Sequence, residues 1–233
     1  MQERHSRTAL LLGEGAIETL KSAHVAVFGL GGVGSYLVEA LARAGVGELT
    51  LIDSDVYSES NLNRQLYATT ASIGQKKTEA ARERIRLIDP DIRVHTVDAF
   101  VLPEIVPTLP LAGVSYLADA IDTVSAKIAL AVYAKENRIP MISAMGAGNK
   151  LDPTAFRVTT IDKTKVCPLC RAVRTKLKAH GISDLKVVYS EEEPVKTTLI
   201  DEQSGKPVPA SCSFVPSVVG LIMAGEIIKD LTK

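Results

Sequence analysis

Apolar and polar positions along the first part of the chain switch between two periods. Residues 24–28 form a short apolar run that ends in glycines, and residues 32–44 carry helical spacing through Leu37, Ala40, Leu41 and Ala44. Residues 48–52 read as a second strand, followed by a polar, Asn-rich loop over 54–67. A charged helix over 75–87, strands over 92–97 and 116–121, a helix over 125–137 and a short strand over 141–143 continue the pattern. Strands separated by helices of this length predict βαβ units. The fold class is therefore α/β, a Rossmann-like, mainly parallel sheet flanked by helices. After Gly146 the texture changes. A strand over 156–161, a basic helix over 169–180 stopped by Gly181, a strand over 186–190, a polar loop over 191–210 with three prolines, and an amphipathic helix over 216–231 follow. The expected organisation is one domain, with a nucleotide-binding half over 1–145 and a smaller C-terminal region over 146–233 for substrate and dimer contacts.

Composition narrows the class. Hydrophobic residues make up 46% of the 233 positions, enough for a sizeable core. Lys plus Arg and Asp plus Glu each number 27, which excludes a globally basic nucleic-acid coat and an acidic tail but not a local basic patch. The longest apolar stretch in the last helix, Val218 to Met223, falls far short of the roughly 18 residues of a membrane span. The first twelve residues carry no apolar core with a cleavage site, so no secretory signal is read there. Three cysteines do not make a disulfide framework, and a reducing cytoplasm is the expected location.

Gly29-Leu30-Gly31-Gly32-Val33-Gly34 matches G-x-G-x-x-G between an expected strand and an expected helix. Glycines there let the backbone approach phosphates, and the helix N-terminus adds N–H groups and positive potential. Asp53, at the end of the next strand, is placed to accept ribose hydroxyls. The motif does not separate a dinucleotide from ATP, but the next segment does. Asp55, Asn61, Arg64 and Gln65 follow, and Lys77 lies on the next helix. A diphosphate already held by the first helix has little need of an added Arg and Lys. Displacement of pyrophosphate from an α-phosphate builds negative charge that fixed cations stabilise. Asp122, at the end of a later strand, is a candidate Mg²⁺ ligand. Taken singly, Arg64 also reads as a surface ion pair, Lys77 as a solvated helix charge and Asp122 as a helix N-cap. Their order and spacing favour a nucleotide site.

From about Arg4 to Ser143 the chain resembles the adenylating enzymes of the ubiquitin-activating type, including bacterial activators of sulfur-carrier proteins. Gly29, Gly31, Gly32, Gly34, Asp53, Asp55, Asn61, Arg64, Gln65, Lys77 and Asp122 stand in the family's order. The resemblance implies ATP as substrate, Asp53 on the ribose, Asn61, Arg64 and Lys77 on the phosphates, and Asp122 linked to Mg²⁺ and catalysis. Arg4-His5-Ser6-Arg7 resembles a motif whose arginine reaches the partner subunit's ATP. Arg7 is the closer match, with His5 where an aromatic residue is usual. The implied catalytic set is Arg7, Arg64, Lys77 and Asp122, in a homodimer with two equal sites.

Residues 143–154, Cys167-Pro168-Leu169 with Arg171, Arg174, Leu177 and Gly181, and the segment from Phe214 to Lys229 look like the corresponding parts of tRNA threonylcarbamoyladenosine dehydratases. These use ATP to activate the carboxylate of the threonylcarbamoyl group on a tRNA adenosine, and loss of AMP closes a five-membered ring. The neighbouring urea attacks within the same molecule, so no protein nucleophile is needed. A tRNA partner needs cationic surface, and Arg171, Arg174 and Lys178 fall on one face of the basic helix. The same residues also read as a solvated amphipathic helix.

Cys167 stands where many dehydratases carry Asp. Cys167-Pro168-Leu169-Cys170 with the separate Cys212 supplies fewer than the two C-x-x-C pairs of the zinc-bearing activators, so zinc is not expected. Two alternatives stay open beside the dehydratase. One is an adenylyltransferase acting on the C-terminal glycine of a ubiquitin-like sulfur carrier. The other, an NAD oxidoreductase, is disfavoured by Asn61, Arg64 and Lys77. A monovalent cation and a cysteine desulfurase or sulfur-acceptor system are further candidates that the sequence leaves open.

Overall fold

A computed structural model of the chain describes residues 3–200 and 208–233. Within them seven strands form one sheet: β1 (His24–Phe28), β2 (Glu48–Ile52), β3 (Arg93–Val97), β4 (Tyr116–Asp119), β5 (Met141–Ala144), β6 (Phe156–Thr160) and β7 (Lys186–Ser190), in the order β3-β2-β1-β4-β5-β7-β6. All neighbours run parallel except β6, which pairs antiparallel with β7 at one edge. The expected mainly parallel α/β sheet is what the chain forms.

Among the described residues seven α-helices flank it: α1 (Ser6–Leu12), α2 (Glu14–Ser22), α3 (Gly34–Ala44), α4 (Lys77–Ile88), α5 (Val124–Asn137), α6 (Pro168–Lys178) and α7 (Phe214–Leu231). The strand β1 is buried along its whole length because both faces are covered. Its alternate residues serve two cores. Val25 and Val27 join Leu37, Leu41, Val219 and Met223 on one face, while Ala26 and Phe28 join Leu130, Val173 and Leu177 on the other. Burying each large aliphatic side chain of this kind contributes about 2 kcal/mol.

Two features of the cores reach the functional edge. The helix α7 closes directly on α3: a Cβ at Gly220 would lie 2.3 Å from the carbonyl oxygen of Val33, so only glycine permits that approach. The same closeness brings Pro216 against Gly32, where an added Cβ would lie 3.1 Å from Pro216 Cγ. The last helix thus buttresses the turn after β1.

Several expected boundaries shift. The strand expected over 116–121 ends at Asp119, since Asp119 Oδ1 accepts the N–H of Ile121 at 3.0 Å and turns the backbone away. The N-terminus, to which the sequence pattern assigns no element, forms a 3-10 turn (Glu3–His5) and two helices. It is tied down by Asp89, which pairs with Arg4 at 2.6 Å and with the buried His5 at 3.3 Å. The polar loop expected over 191–210 lies partly outside the described residues. Its described arms have no regular element, yet they are bonded to the turn after β5. Asn149, at φ +61°, donates its N–H to Ala210 O at 2.8 Å and accepts the N–H of Val195 at 2.7 Å. The Glu192 carboxylate accepts the N–H groups of Leu151 and Asp152 at 2.8 and 3.1 Å.

Candidate functional site

The chain leaves β1 towards β2 on one side, and β4 comes back to pair with β1 on the other. The strand order therefore reverses between β1 and β4, and the loops at their carboxyl ends part to leave a crevice, the usual ligand position in open α/β sheets. A cavity of about 340 Å³ lies there. It is lined by Gly29, Gly31, Gly32, Asp53, Asp55, Asn61, Arg64, Gln65, Lys77 and Asp122, which brings together all but Gly34 of the nucleotide-site residues singled out from the sequence.

Each side chain is held by local bonding. Gly29 takes φ +87°, and a Cβ there would lie 2.9 Å from Ala120 O, so the turn after β1 rests on the turn after β4. Gly31 has open space: the nearest atom to an added Cβ, Gln65 Nε2, is 3.9 Å away. Asp53 Oδ2 accepts the N–H of Leu30 at 2.6 Å, and its Oδ1 accepts that of Asp55 at 2.8 Å. The carboxylate thereby fixes the glycine turn and keeps its remaining lone pairs for a ligand. The phenol of Tyr57, behind it, is pushed up by burial and by the nearby Asp53 charge.

The cations are held as firmly. Arg64 Nη1 donates to Ser60 O at 2.9 Å and to Asn63 Oδ1 at 2.8 Å. Lys77 is 5% exposed, and its Nζ donates to Asp55 Oδ2 at 2.7 Å. The side-chain oxygen of Asn61 accepts the N–H of Ser58 at 3.2 Å and closes the 3-10 turn (Glu59–Asn61) that presents Arg64 and Gln65. Gln65 is 6% exposed, and among the described residues its Oε1 is buried without a partner. An orphaned amide oxygen at the wall of a cavity fits a polar ligand there. Asp122 is exposed, and among the described residues its carboxylate accepts only a 3.4 Å contact from the Thr123 hydroxyl. A carboxylate left this free fits Mg²⁺, which takes one or two protein carboxylates and completes its shell from phosphates and water.

Three expected site residues lie elsewhere or act differently. Gly34 does not line the cavity; it begins α3 packed on the Gly29 carbonyl. Arg7 is exposed on α1 and is absent from the cavity of its own chain. Arg171 and Lys178 are exposed on α6, but Arg174 is not free as expected. Its Nη1 donates to Thr164 O at 2.8 Å and to Thr164 Oγ1 at 2.7 Å, tying α6 to the preceding loop.

Sequence reasoning missed the apolar wall of the cavity, formed by Ile52, Ala99, Phe100, Val101 and Ile121. The half-exposed Phe100 just beyond β3 was the available signal. It also missed a fully buried group below the cavity. Lys127 Nζ, on α5, donates to Asp119 Oδ2 at 3.0 Å, to Ser143 Oγ at 3.3 Å and to Ala144 O at 2.8 Å.

Among the described residues no three His, Cys, Asp or Glu side chains are grouped to hold a metal ion. Cys212 lies 4.0 Å from Lys150 O. Cys167 caps α6 with Cys170 one turn on. Its thiol is held down to about 5 by a bond from the Cys170 thiol, with further help from the amides of Cys170, Gly146 and Leu169 against the cost of burial. A larger cleft of about 580 Å³ runs along α5 and α6 but is lined mainly by apolar side chains such as Val106, Ile128 and Val132. It lacks the convergent polar groups of the cavity between β1 and β4.

The chain is similar to known proteins. The model of the ThiF family matches residues 4–233. The tRNA threonylcarbamoyladenosine dehydratase of Bacillus subtilis (strain 168) is 41% identical over 244 residues, covering 100% of this chain and 96% of that protein. The crystal structure of the E. coli tRNA N6-threonylcarbamoyladenosine dehydratase in complex with ATP superposes with a TM-score of 0.89 at 38% identity, covering 98% of this chain and 93% of that one. The molybdopterin-synthase adenylyltransferase of Salmonella typhimurium (strain LT2) is 37% identical over 170 residues, covering 72% of this chain and 66% of that protein.

Proposed function

This chain belongs to the ThiF family, and we propose that it is an ATP-dependent dehydratase that cyclises N6-threonylcarbamoyladenosine in tRNA. The observation that carries this reading is the convergence of Asp53, Arg64, Lys77 and Asp122 on one cavity, in a chain alike over its whole length to such a dehydratase.

In this reading the triphosphate lies across Gly31 and Gly32, with the ribose on Asp53 and the adenine against Ile52 and Phe100. The substrate carboxylate attacks the α-phosphorus and pyrophosphate leaves. Arg64 and Lys77, fixed in advance by Asn63 and Asp55, meet the negative charge that develops without having to reorganise. When bound, Mg²⁺ neutralises phosphate charge, and Asp122 is the carboxylate that would hold it. The acyl-adenylate carbon is then attacked by the adjacent urea nitrogen, which loses a proton. AMP departs with the former carboxylate oxygen, and the net change in the nucleoside is the loss of one water. Holding the urea beside the activated carbon supplies the proximity term.

The chain acts as one unit, with residues 1–145 binding nucleotide and residues 146–233 shaping the substrate side. Arg7 completes the site of a second copy in a homodimer, and the exposed Arg171 and Lys178 contact tRNA phosphates. The location is cytoplasmic, where tRNA is modified. No helix among the described residues is long and apolar enough to cross a membrane.

Mass spectrometry of gently digested threonylcarbamoyladenosine-containing tRNA, incubated with the protein, ATP and Mg²⁺, tests the proposal. The expected result is a nucleoside lighter by one water, AMP release, loss of both in Arg64→Ala, and a marked but measurable reduction of both in Asp122→Asn. An unchanged nucleoside with bound ATP would transfer the assignment to the second reading, adenylation of a carrier protein's C-terminal glycine. Pyrophosphate exchange dependent on such a carrier would then be the observable.

A further inference from the structure

Lys127 and Asp119 are both 0% exposed, and neither lines the nucleotide cavity. A buried ion pair of this kind is weak evidence for stability, because desolvation offsets much of the attraction and well-packed apolar replacements are often neutral or better. The bonding suggests a different use. Lys127 reaches from α5 to the carboxyl ends of two adjacent strands at once. On β4 it holds Asp119 Oδ2; on β5 it holds Ser143 Oγ and Ala144 O. Ser143 also donates to Asp119 Oδ2 at 2.5 Å. All three ammonium protons are matched to acceptors, as burial demands.

What leaves those strand ends matters. From β4 the chain turns through Ala120, Ile121 and Asp122, all of which line the cavity. Asp119 Oδ1 fixes this turn through the N–H of Ile121, while Ala120 N donates to Phe28 O at 2.8 Å. From β5 the chain passes through Met145 and Gly146 to Asn149, the residue that anchors both arms of the segment following β7. A single ammonium therefore sets the relation between the turn bearing Asp122 and the turn that leads into the substrate half.

We propose that Lys127 is a positioning residue for the reaction: through Asp119 and the end of β5 it holds Asp122 at the register needed for carboxylate activation. The proposal rests on the dehydratase reading and acts on it through Asp122. Its effect belongs to turnover and not to nucleotide affinity, since Asp53, Arg64 and Lys77 hang on other elements.

The test uses Lys127→Met and, because a lone buried carboxylate is costly, the neutral pair Asp119→Asn/Lys127→Met. Thermal unfolding, ATP affinity by titration and single-turnover dehydration are measured for each, alone and combined with Asp122→Asn. The expected result is a folded double variant that binds ATP within about threefold of the parent and turns over at least about thirtyfold more slowly. In the Asp122→Asn background the same changes should cost almost nothing more, because two residues acting through one another are non-additive. A folded variant with turnover within about twofold of the parent overturns the proposal. So does an equal further loss in the Asp122→Asn background, and so does failure of both variants to fold, which would make the pair a structural element. Parent protein inactive on the modified tRNA would instead overturn the dehydratase reading.

Discussion

A Cβ placed on Gly34 would lie 1.8 Å from the carbonyl oxygen of Gly29, whereas one on Gly31 would meet nothing closer than 3.9 Å. The two glycines of one motif therefore answer to different needs. Gly34 lets α3 start against the turn that precedes it, and Gly31 keeps the floor of the cavity bare. Gly34→Ala should lower the melting temperature by many degrees or prevent folding. Gly31→Ala should fold normally and lose at least tenfold in ATP affinity, because its methyl group occupies phosphate space. Equal melting temperatures for the two variants would contradict this division.

Arg7 is exposed on a helix tethered through Arg4 and His5 to Asp89, and it does not line the nucleotide cavity of its own chain. Mixing inactive Arg7→Ala protein with inactive Arg64→Ala protein should restore up to about a quarter of parental activity, from dimers that retain one intact composite site. No recovery, with subunit exchange verified by mass, would mean that Arg7 serves no neighbouring site.

The basic helix divides by contact. Arg171→Ala with Lys178→Ala should leave the melting temperature unchanged, weaken tRNA binding, and reduce the slope of log affinity against log salt by about 1–2. Arg174→Ala should instead destabilise the fold by about 1–2 kcal/mol, through loss of its two bonds to Thr164. Denaturant melts of the three single variants separate the outcomes.

Asp230 on α7 is worked on by burial, which raises its pKa, and by bonds from Lys186, Lys233 and Tyr116, which outweigh burial and hold it at about 2. Its folded value is depressed, so its stabilisation is present above the ordinary carboxylate pKa and disappears as pH falls through about 2. Asp230→Asn should cost about 1–2 kcal/mol at pH 7 and converge on the parent at the acid end. A gap between parent and variant that stays constant from pH 7 down to acid would sink the assignment.

The legible parts of this molecule were those in which neighbours in sequence are neighbours in function. The turn from Gly29 to Gly34 joins one strand to one helix, and the order of Asp53, Asn61, Arg64 and Lys77 follows a single crossover, so local pattern sufficed. The sequence pattern also placed β6 as a strand but could not reveal its direction, which depends on its pairing with β7. Lys127 escaped because a lysine on a helix reads as solvated, and only the packing of α5 over β4 and β5 buries it. Arg174 was misread for the converse reason: its spacing matches an open cationic face, while Thr164, ten residues earlier, claims its guanidinium. The helix α1 was missed because Leu10 and Leu11 are exposed, which breaks the apolar periodicity that would announce it, whereas α2 was missed although its buried Ile17 and Leu20, three apart, carried the signal.

The adjacency of β1 and β4 bears on how the chain acquires activity. The pair β1 and β2 is joined by one helix and closes a short loop, whereas β4 must return from far along the chain to reach β1. The Gly29 turn and the Asp122 turn meet only at that late junction. A nascent chain released before β4 docks would carry a well-formed glycine turn with no opposite wall. Nucleotide retention during refolding would therefore report completion of the central sheet, and lag behind the appearance of helical signal.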